Sequence, residues 1–148
     1  RGNGSIINEV NGRLSGFAYQ YGRVEGTNRF LGVAGIVPTT DPGPLPTTAT
    51  ATYTGRYQLA YASQSRVEGR DGQITLKADF EDGELTGSAG LLEIEGTITG
   101  QIVGGTASYR DVEAEMFGLI GSERAVTAFA GDNDRAMLVG GINAEAND

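Results

Sequence analysis

The chain has 148 residues, no cysteine, no histidine and a formal charge of −8 from nineteen acidic and eleven basic side chains. A single domain of this length buries most of its apolar surface without covalent staples. The missing residue types exclude disulfides, thiolate zinc sites and the Ser-His-Asp and Cys-His nucleophile systems. The acidic balance repels phosphate backbones and anionic lipid, which argues against nucleic-acid binding, and no apolar run approaches the ~20 residues that a membrane helix needs. The chain starts at Arg1 rather than Met, as a processed or truncated form does, so any signal peptide or lipid anchor would lie upstream.

The first twelve residues (RGNGSIINEVNG) read as a frayed end or a short leading strand. Leu14–Tyr21 is expected as a strand with Phe17, Tyr19 and Tyr21 on one face, and Arg29–Val37 as a second strand buried on both sides for part of its length. Pro38–Thr48 holds all four prolines, Pro38, Pro42, Pro44 and Pro46. Proline at this density cannot join a central ladder and keeps the backbone near polyproline II. The strand material before it is too short to form a domain, so it reads as a long inter-strand loop with Leu45 near its middle, a candidate contact surface.

Ala49–Tyr61 alternates through Tyr53, Tyr57, Leu59 and Tyr61 as a strand, and Gln64–Asp71 reads as charged loop. Ile74, Leu76, Ala78 and Phe80 alternate with polar residues, and Glu81-Asp82-Gly83 turns that strand into Glu84–Ala89. Leu92, Ile94, Gly96 and Ile98 line another strand, Ile102–Tyr109 follows, and Val112, Ala114 and Met116 alternate with Asp111, Glu113 and Glu115. Gly121–Arg124 allows one turn of helix before AVTAFAG and RAMLVGGI, two strands joined through Asp132-Asn133-Asp134. Twenty-four glycines spread through these runs suit bulges and close approaches in a curved sheet. Eight to ten short strands at this spacing, with no alternating strand and helix units, make an all-β sandwich or barrel.

Several side-chain sets carry a chemical alternative. The carboxylates of Asp79 and Glu81, Glu93 and Glu95, and Asp111, Glu113 and Glu115 could supply the acid and base of a glycosidase, but their alternation with apolar residues puts them on a solvated outer face. Asp132-Asn133-Asp134 starts like a calcium loop yet lacks the glycine and distal glutamate, and reads as an Asx turn. Gly104-Gly105 and Gly140-Gly141 lack the lysine and helix of a phosphate loop and read as bulges. Met116 and Met137 sit in core-like positions, which disfavours haem ligation. The six tyrosines either line a ligand cavity or girdle a small core.

Phe117-Gly118, the turn Gly121–Arg124, Gly140-Gly141-Ile142, and the hairpin carrying Asp79-Phe80 and Leu85-Thr86-Gly87 form a set with a known counterpart. From about Tyr53 onward the chain resembles the eight-stranded barrel of transferrin-binding protein B and factor H binding protein, surface lipoproteins of Gram-negative bacteria. One departure is that the small pair expected after the helical turn falls on Val126-Thr127 or Thr127-Ala128. The resemblance implies a single domain over 1–148, an antiparallel barrel of about eight strands with one short helical turn near its C-terminus. It further implies a structural Phe117 buried against the closing hairpin, with Gly118, Gly140 and Gly141 completing the signature.

It also implies a non-enzymatic module that needs no cofactor or metal, captures a protein partner and is exported to the outer-membrane surface or secreted. Pro42, Pro44, Leu45 and Pro46 are the expected partner-binding residues. The alternative is a lipocalin-like carrier of a small apolar ligand. The lumen discriminates: a plug of Phe80, Leu92, Ile94, Met116 and Phe129 means a scaffold, and an open pocket means a carrier.

Overall fold

A computed structural model describes residues 1–147. The described residues form eleven antiparallel strands: β1 (Gly2–Val10), β2 (Arg13–Arg23), β3 (Phe30–Ile36), β4 (Thr50–Ser63), β5 (Val67–Asp79), β6 (Glu84–Ala89), β7 (Leu92–Thr99), β8 (Ile102–Tyr109), β9 (Val112–Ile120), β10 (Arg124–Asp132) and β11 (Ala136–Ala146). Strands β4 to β11 form a closed eight-stranded barrel in up-and-down order, and β1 to β3 form a separate three-stranded sheet. Closure leaves the barrel without an edge.

The lumen is filled by the inward half of each alternating strand. Leu59, Leu76, Leu85, Leu92, Met116 and Phe129 are all buried there, and Phe80 packs part-buried against them. Three of the tyrosines, Tyr53, Tyr61 and Tyr109, are buried in this core, whereas Tyr19 and Tyr21 belong to a second one. That second core lies between the small sheet and the outside of the barrel, where Phe17, Tyr19 and Phe30 meet Val126, Ala128, Met137 and Val139. It explains why β10 and β11 are buried on both parities over most of their length. Their faces are covered by the lumen on one side and the small sheet on the other.

Two of the signature glycines permit these layers to close. A Cβ added at Gly140 would come within 2.8 Å of the Leu59 Cα, and one at Gly141 within 2.6 Å of the Thr127 carbonyl oxygen and into the Phe17 ring. Gly118 similarly lies against the Thr127 backbone. Polar bonds fasten the two sheets as well. The buried Asn143 side chain on β11 donates to the carbonyls of Ile6 (3.1 Å) and Ser15 (3.2 Å) and to Asn8 Oδ1 (2.9 Å), while its own oxygen accepts from Arg124 at 2.6 Å.

Several details differ from the sequence reading. The first residues are a full strand, because Asn11 and Gly12 (φ of 53° and 78°) form the two-residue turn that pairs β1 with β2 along its whole length. Strand β5 begins at Val67, so most of the expected charged loop at Gln64–Asp71 is ladder. No helix occurs among the described residues: residues 121–123 are a tight bend in which the Gly121 N–H donates to the Arg124 carbonyl, closing the β9–β10 hairpin. The first three strands stay outside the barrel rather than contributing to it.

Candidate partner-binding site

The lumen is packed by side chains, and the proline-rich connection between β3 and β4 is the longest segment outside the strands. It crosses the barrel end that also carries the β5–β6, β7–β8 and β9–β10 turns. Four contacts fix it there. The Pro42 carbonyl accepts from the N–H groups of Glu123 (2.9 Å) and Arg124 (3.1 Å), the Pro44 carbonyl from Ser122 N–H (2.7 Å), and the Gly43 carbonyl from the Gln101 side chain (2.5 Å). Upstream, Gly16 N–H donates to the Thr40 hydroxyl at 3.1 Å, tying the loop to β2. Proline supplies carbonyls at fixed φ, so the segment offers a rigid row of acceptors to the bend beneath it.

The expected site residues therefore divide. Pro42 is buried and serves the barrel, whereas Pro44 and Leu45 are exposed and Pro46 is half-buried. Leu45 is 48% exposed at the tip. Beside it runs a surface groove of about 560 Å³, lined by Pro46, Thr48, Thr52, Tyr53, Ser122 and Ala146 among others. Its lining is uncharged, and behind it the buried Tyr53 hydroxyl donates to the Gly121 carbonyl at 2.7 Å. Burial pushes that phenol up to about 12, so it stays a neutral donor. The strand register gathers Asp79, Glu81, Asp82, Glu84, Glu123 and Glu145 at this barrel end, with the exposed Lys77 paired to Thr52 of the groove. Sequence reasoning found the loop but missed the groove, since its wall comes from the ends of β4 and β11 folded beside the loop.

The opposite end mixes both signs, with Arg66, Arg70, Arg110 and Arg135 beside Glu68, Asp111, Asp132 and Asp134, and has a different construction. Glu68 accepts from Arg110 Nε (2.9 Å) and the Tyr109 hydroxyl (2.6 Å), with Arg66 and Arg70 at 3.4 and 3.6 Å. Those bonds, Arg110 first and Tyr109 next, hold its carboxyl down at about 2. Next to it the Tyr61 hydroxyl donates to Asp111 at 2.6 Å, which lowers the Asp111 carboxyl, and the Arg110 guanidinium lies over both tyrosine rings. The cluster is satisfied and plugs the barrel end. Because the Glu68 carboxyl is depressed on folding, its contribution is present above its ordinary value of 4.5 and is lost as pH falls towards 2. We expect Glu68→Gln to be less stable than the parent near neutrality by about 1 kcal/mol, after allowing for solvent screening, and the gap to close across that window. Urea midpoints measured through the acid range check this, and a gap independent of pH would refute it.

Other sequence candidates are structural. Glu93, Glu95, Glu113 and Glu115 all point outward and are exposed. Asp79 accepts from the N–H groups of Glu81 and Asp82 at 3.0 Å, and Asn133 accepts from Arg135 (2.7 Å) and Ala136 (2.8 Å), so both are Asx turns. Phe117 departs from expectation: it sits on the outer face of β9 and is 44% exposed, because Val112, Ala114 and Met116 occupy the inward parity.

No protein-family model matches the chain, and no curated protein matches it by sequence. Solved structures do. A single-residue mutant of Transferrin Binding Protein B from Haemophilus parasuis Hp5 superposes with a TM-score of 0.65 at 10% identity, over 97% of this chain and 37% of that one. A structure described as a surface lipoprotein gives 0.58 at 15% identity, over 97% and 81%. The N-lobe domain of Lactoferrin Binding Protein B of Moraxella bovis gives 0.57 at 14%, over 96% and 79%. The chain thus spans little more than a third of the Haemophilus transferrin-binding proteins it matches, 37% and 38% of their lengths. Its fold is the β-barrel fold of the transferrin-binding protein B type, and a superposition over 97% of the chain extends to the three-stranded sheet.

Proposed function

We propose that residues 1–148 act as one non-enzymatic unit that captures a protein partner at the barrel end carrying the proline-rich loop. The observation that carries this reading is the filled lumen beside a rigid exposed tip: Leu92, Ile94, Met116 and Phe129 are each at most 2% exposed, whereas Leu45 is 48% exposed on a loop pinned from below. A filled barrel has no room for the small apolar ligand of a carrier. A pinned tip loses little conformational entropy when it docks. The neutral groove at a mainly acidic barrel end suits a partner that offers an apolar side chain within a basic patch, with the carboxylates steering encounter. The fold neighbours support the assignment by kind, since two of them are named for binding transferrin and lactoferrin. The neighbour described as a surface lipoprotein supports export of the chain to the outer-membrane surface or beyond. No cofactor enters this function.

The test separates tip from anchor. Leu45→Asp removes the apolar tip without touching the carbonyls of Pro42, Gly43 and Pro44, so unfolding midpoints should stay within about 0.5 kcal/mol of the parent. Capture of a cross-linkable protein from host fluid by the immobilised chain should fall about tenfold or more, the loss of a central contact. Unchanged capture, or release of a stoichiometric small hydrophobic molecule on denaturing the purified protein, would overturn the reading. Replacing the whole of Pro38–Thr48 is a poor test, since it strips the acceptors that hold the β9–β10 bend.

A further inference from the structure

The three-stranded sheet has two open edges, and β3 forms one of them. Its sequence from Phe30 to Ile36, FLGVAGI, contains no charge and no proline, the devices that normally blunt an edge. The ladder bonds fix which of its groups are free. Val37 N–H donates to Gly16 and Val24 N–H to Arg29, which places the hydrogen-bonded β2–β3 pairs at Leu31, Val33 and Gly35. The N–H and C=O groups of Phe30, Gly32, Ala34 and Ile36 therefore face away from β2, along the edge.

What lies beneath that edge is unfinished in the same direction. Strand β1 packs over β11 and β4, β2 over β11, and β3 chiefly over β10. The next barrel strand is β9. Register places Phe117 beside Ala128 and Leu119 beside Val126, so both follow on from the covered layer. Phe117 is 44% exposed, and on its other side Ile102, paired with Leu119, is 63% exposed. Further along β9 the same outer face carries the exposed carboxylates Glu115 and Glu113.

We infer that β3 accepts a fourth strand: an extended polypeptide segment that pairs with Phe30–Ile36, lays two apolar side chains, two residues apart, over Phe117 and Leu119, and presents a basic side chain to Glu115 or Glu113. The free ladder groups dictate an extended backbone, and the continuing apolar layer dictates which face is apolar. The carboxylates favour a basic partner and disfavour a second copy of this chain, which carries −8 and would bring the same carboxylates with it. This surface is distinct from the Leu45 tip and stands or falls separately.

The probe is a synthetic eight-residue peptide alternating valine and threonine, with lysine at one end of the valine face, added to the 148-residue chain. Amide shifts should concentrate at residues 30–36 and 117–119. Ala34→Pro removes one edge N–H while leaving the β2–β3 bonds intact, a substitution that edge strands tolerate, and should weaken binding about tenfold or more. Should that variant not fold, Phe117→Ala, at an exposed position, should weaken it as well, and exchanging the peptide lysine for glutamate should do so for either folded form. Leu45→Asp should bind the peptide as the parent does. The inference is overturned by absence of binding up to millimolar peptide, by shifts elsewhere, or by undiminished binding in both Ala34→Pro and Phe117→Ala. It is also overturned if the chain dimerises through β3 in a way that Ala34→Pro abolishes, for then the occupant is a second copy.

Discussion

Phe129→Ala is expected to destabilise the protein by roughly 3–5 kcal/mol, and Phe117→Ala by about 1 kcal/mol or less. The two rings lie on neighbouring strands in a closed barrel, yet on opposite sides of its wall. Phe129 is 0% exposed and packs among the lumen side chains, so truncation opens a cavity that the surrounding ladders cannot collapse into. Phe117 is 44% exposed and loses only part of its contact with water when the chain folds. Denaturant unfolding of both variants decides the point. Equal costs would mean that Phe117 turns inward, and the strand parity drawn for β9 would be wrong.

Gly141→Val should be comparably severe, at least roughly 3 kcal/mol. The residue lies where the Phe17 ring rests on β11, and its backbone is held against the Thr127 carbonyl by the β10 pairing. A branched side chain there can be accommodated only by lifting the small sheet, which would also pull Asn143 away from the carbonyls of Ile6 and Ser15. The expected signature is a lowered unfolding midpoint together with early proteolysis between β2 and β4. A variant as stable and as resistant as the parent would show that Phe17 does not seat on this glycine.

How far the sequence could be read varies with what each residue faces. Strands with one dry face, such as Leu92–Thr99 and Val112–Ile120, are legible because apolar residues recur with period two. The barrel itself followed from their number and spacing together with the glycine-based signature. Phe117 was misplaced when that signature was allowed to outweigh the parity of its own strand, which groups it with Glu113 and Glu115. Val67–Asp71 looked like loop because the barrel end it closes is polar: Glu68 is held by Tyr109 and Arg110, an arrangement made only when distant strands meet. Strand β1 lacks any apolar alternation and is recognisable only through the Asn11-Gly12 turn. The loop that holds Leu45 was visible in its prolines, but its anchoring was not, since the donors come from Gln101 and from residues 122–124.

The up-and-down strand order also sets when the molecule becomes complete. Every pairing within the barrel joins consecutive strands except one, the seam in which Ala136–Ala146 pairs with Tyr53–Ser63. Hairpins form on local loop closure, whereas this seam must bring together segments from the two ends of the barrel sequence, the slowest and entropically most costly of the barrel's strand pairings. The floor beneath β1 and β2 is built from β4 and β11, the two strands of that seam. The small sheet, although synthesised first, therefore has nowhere to dock until the last barrel strand has been made, and its apolar face of Phe17, Tyr19 and Phe30 stays uncovered for the longest part of the folding reaction.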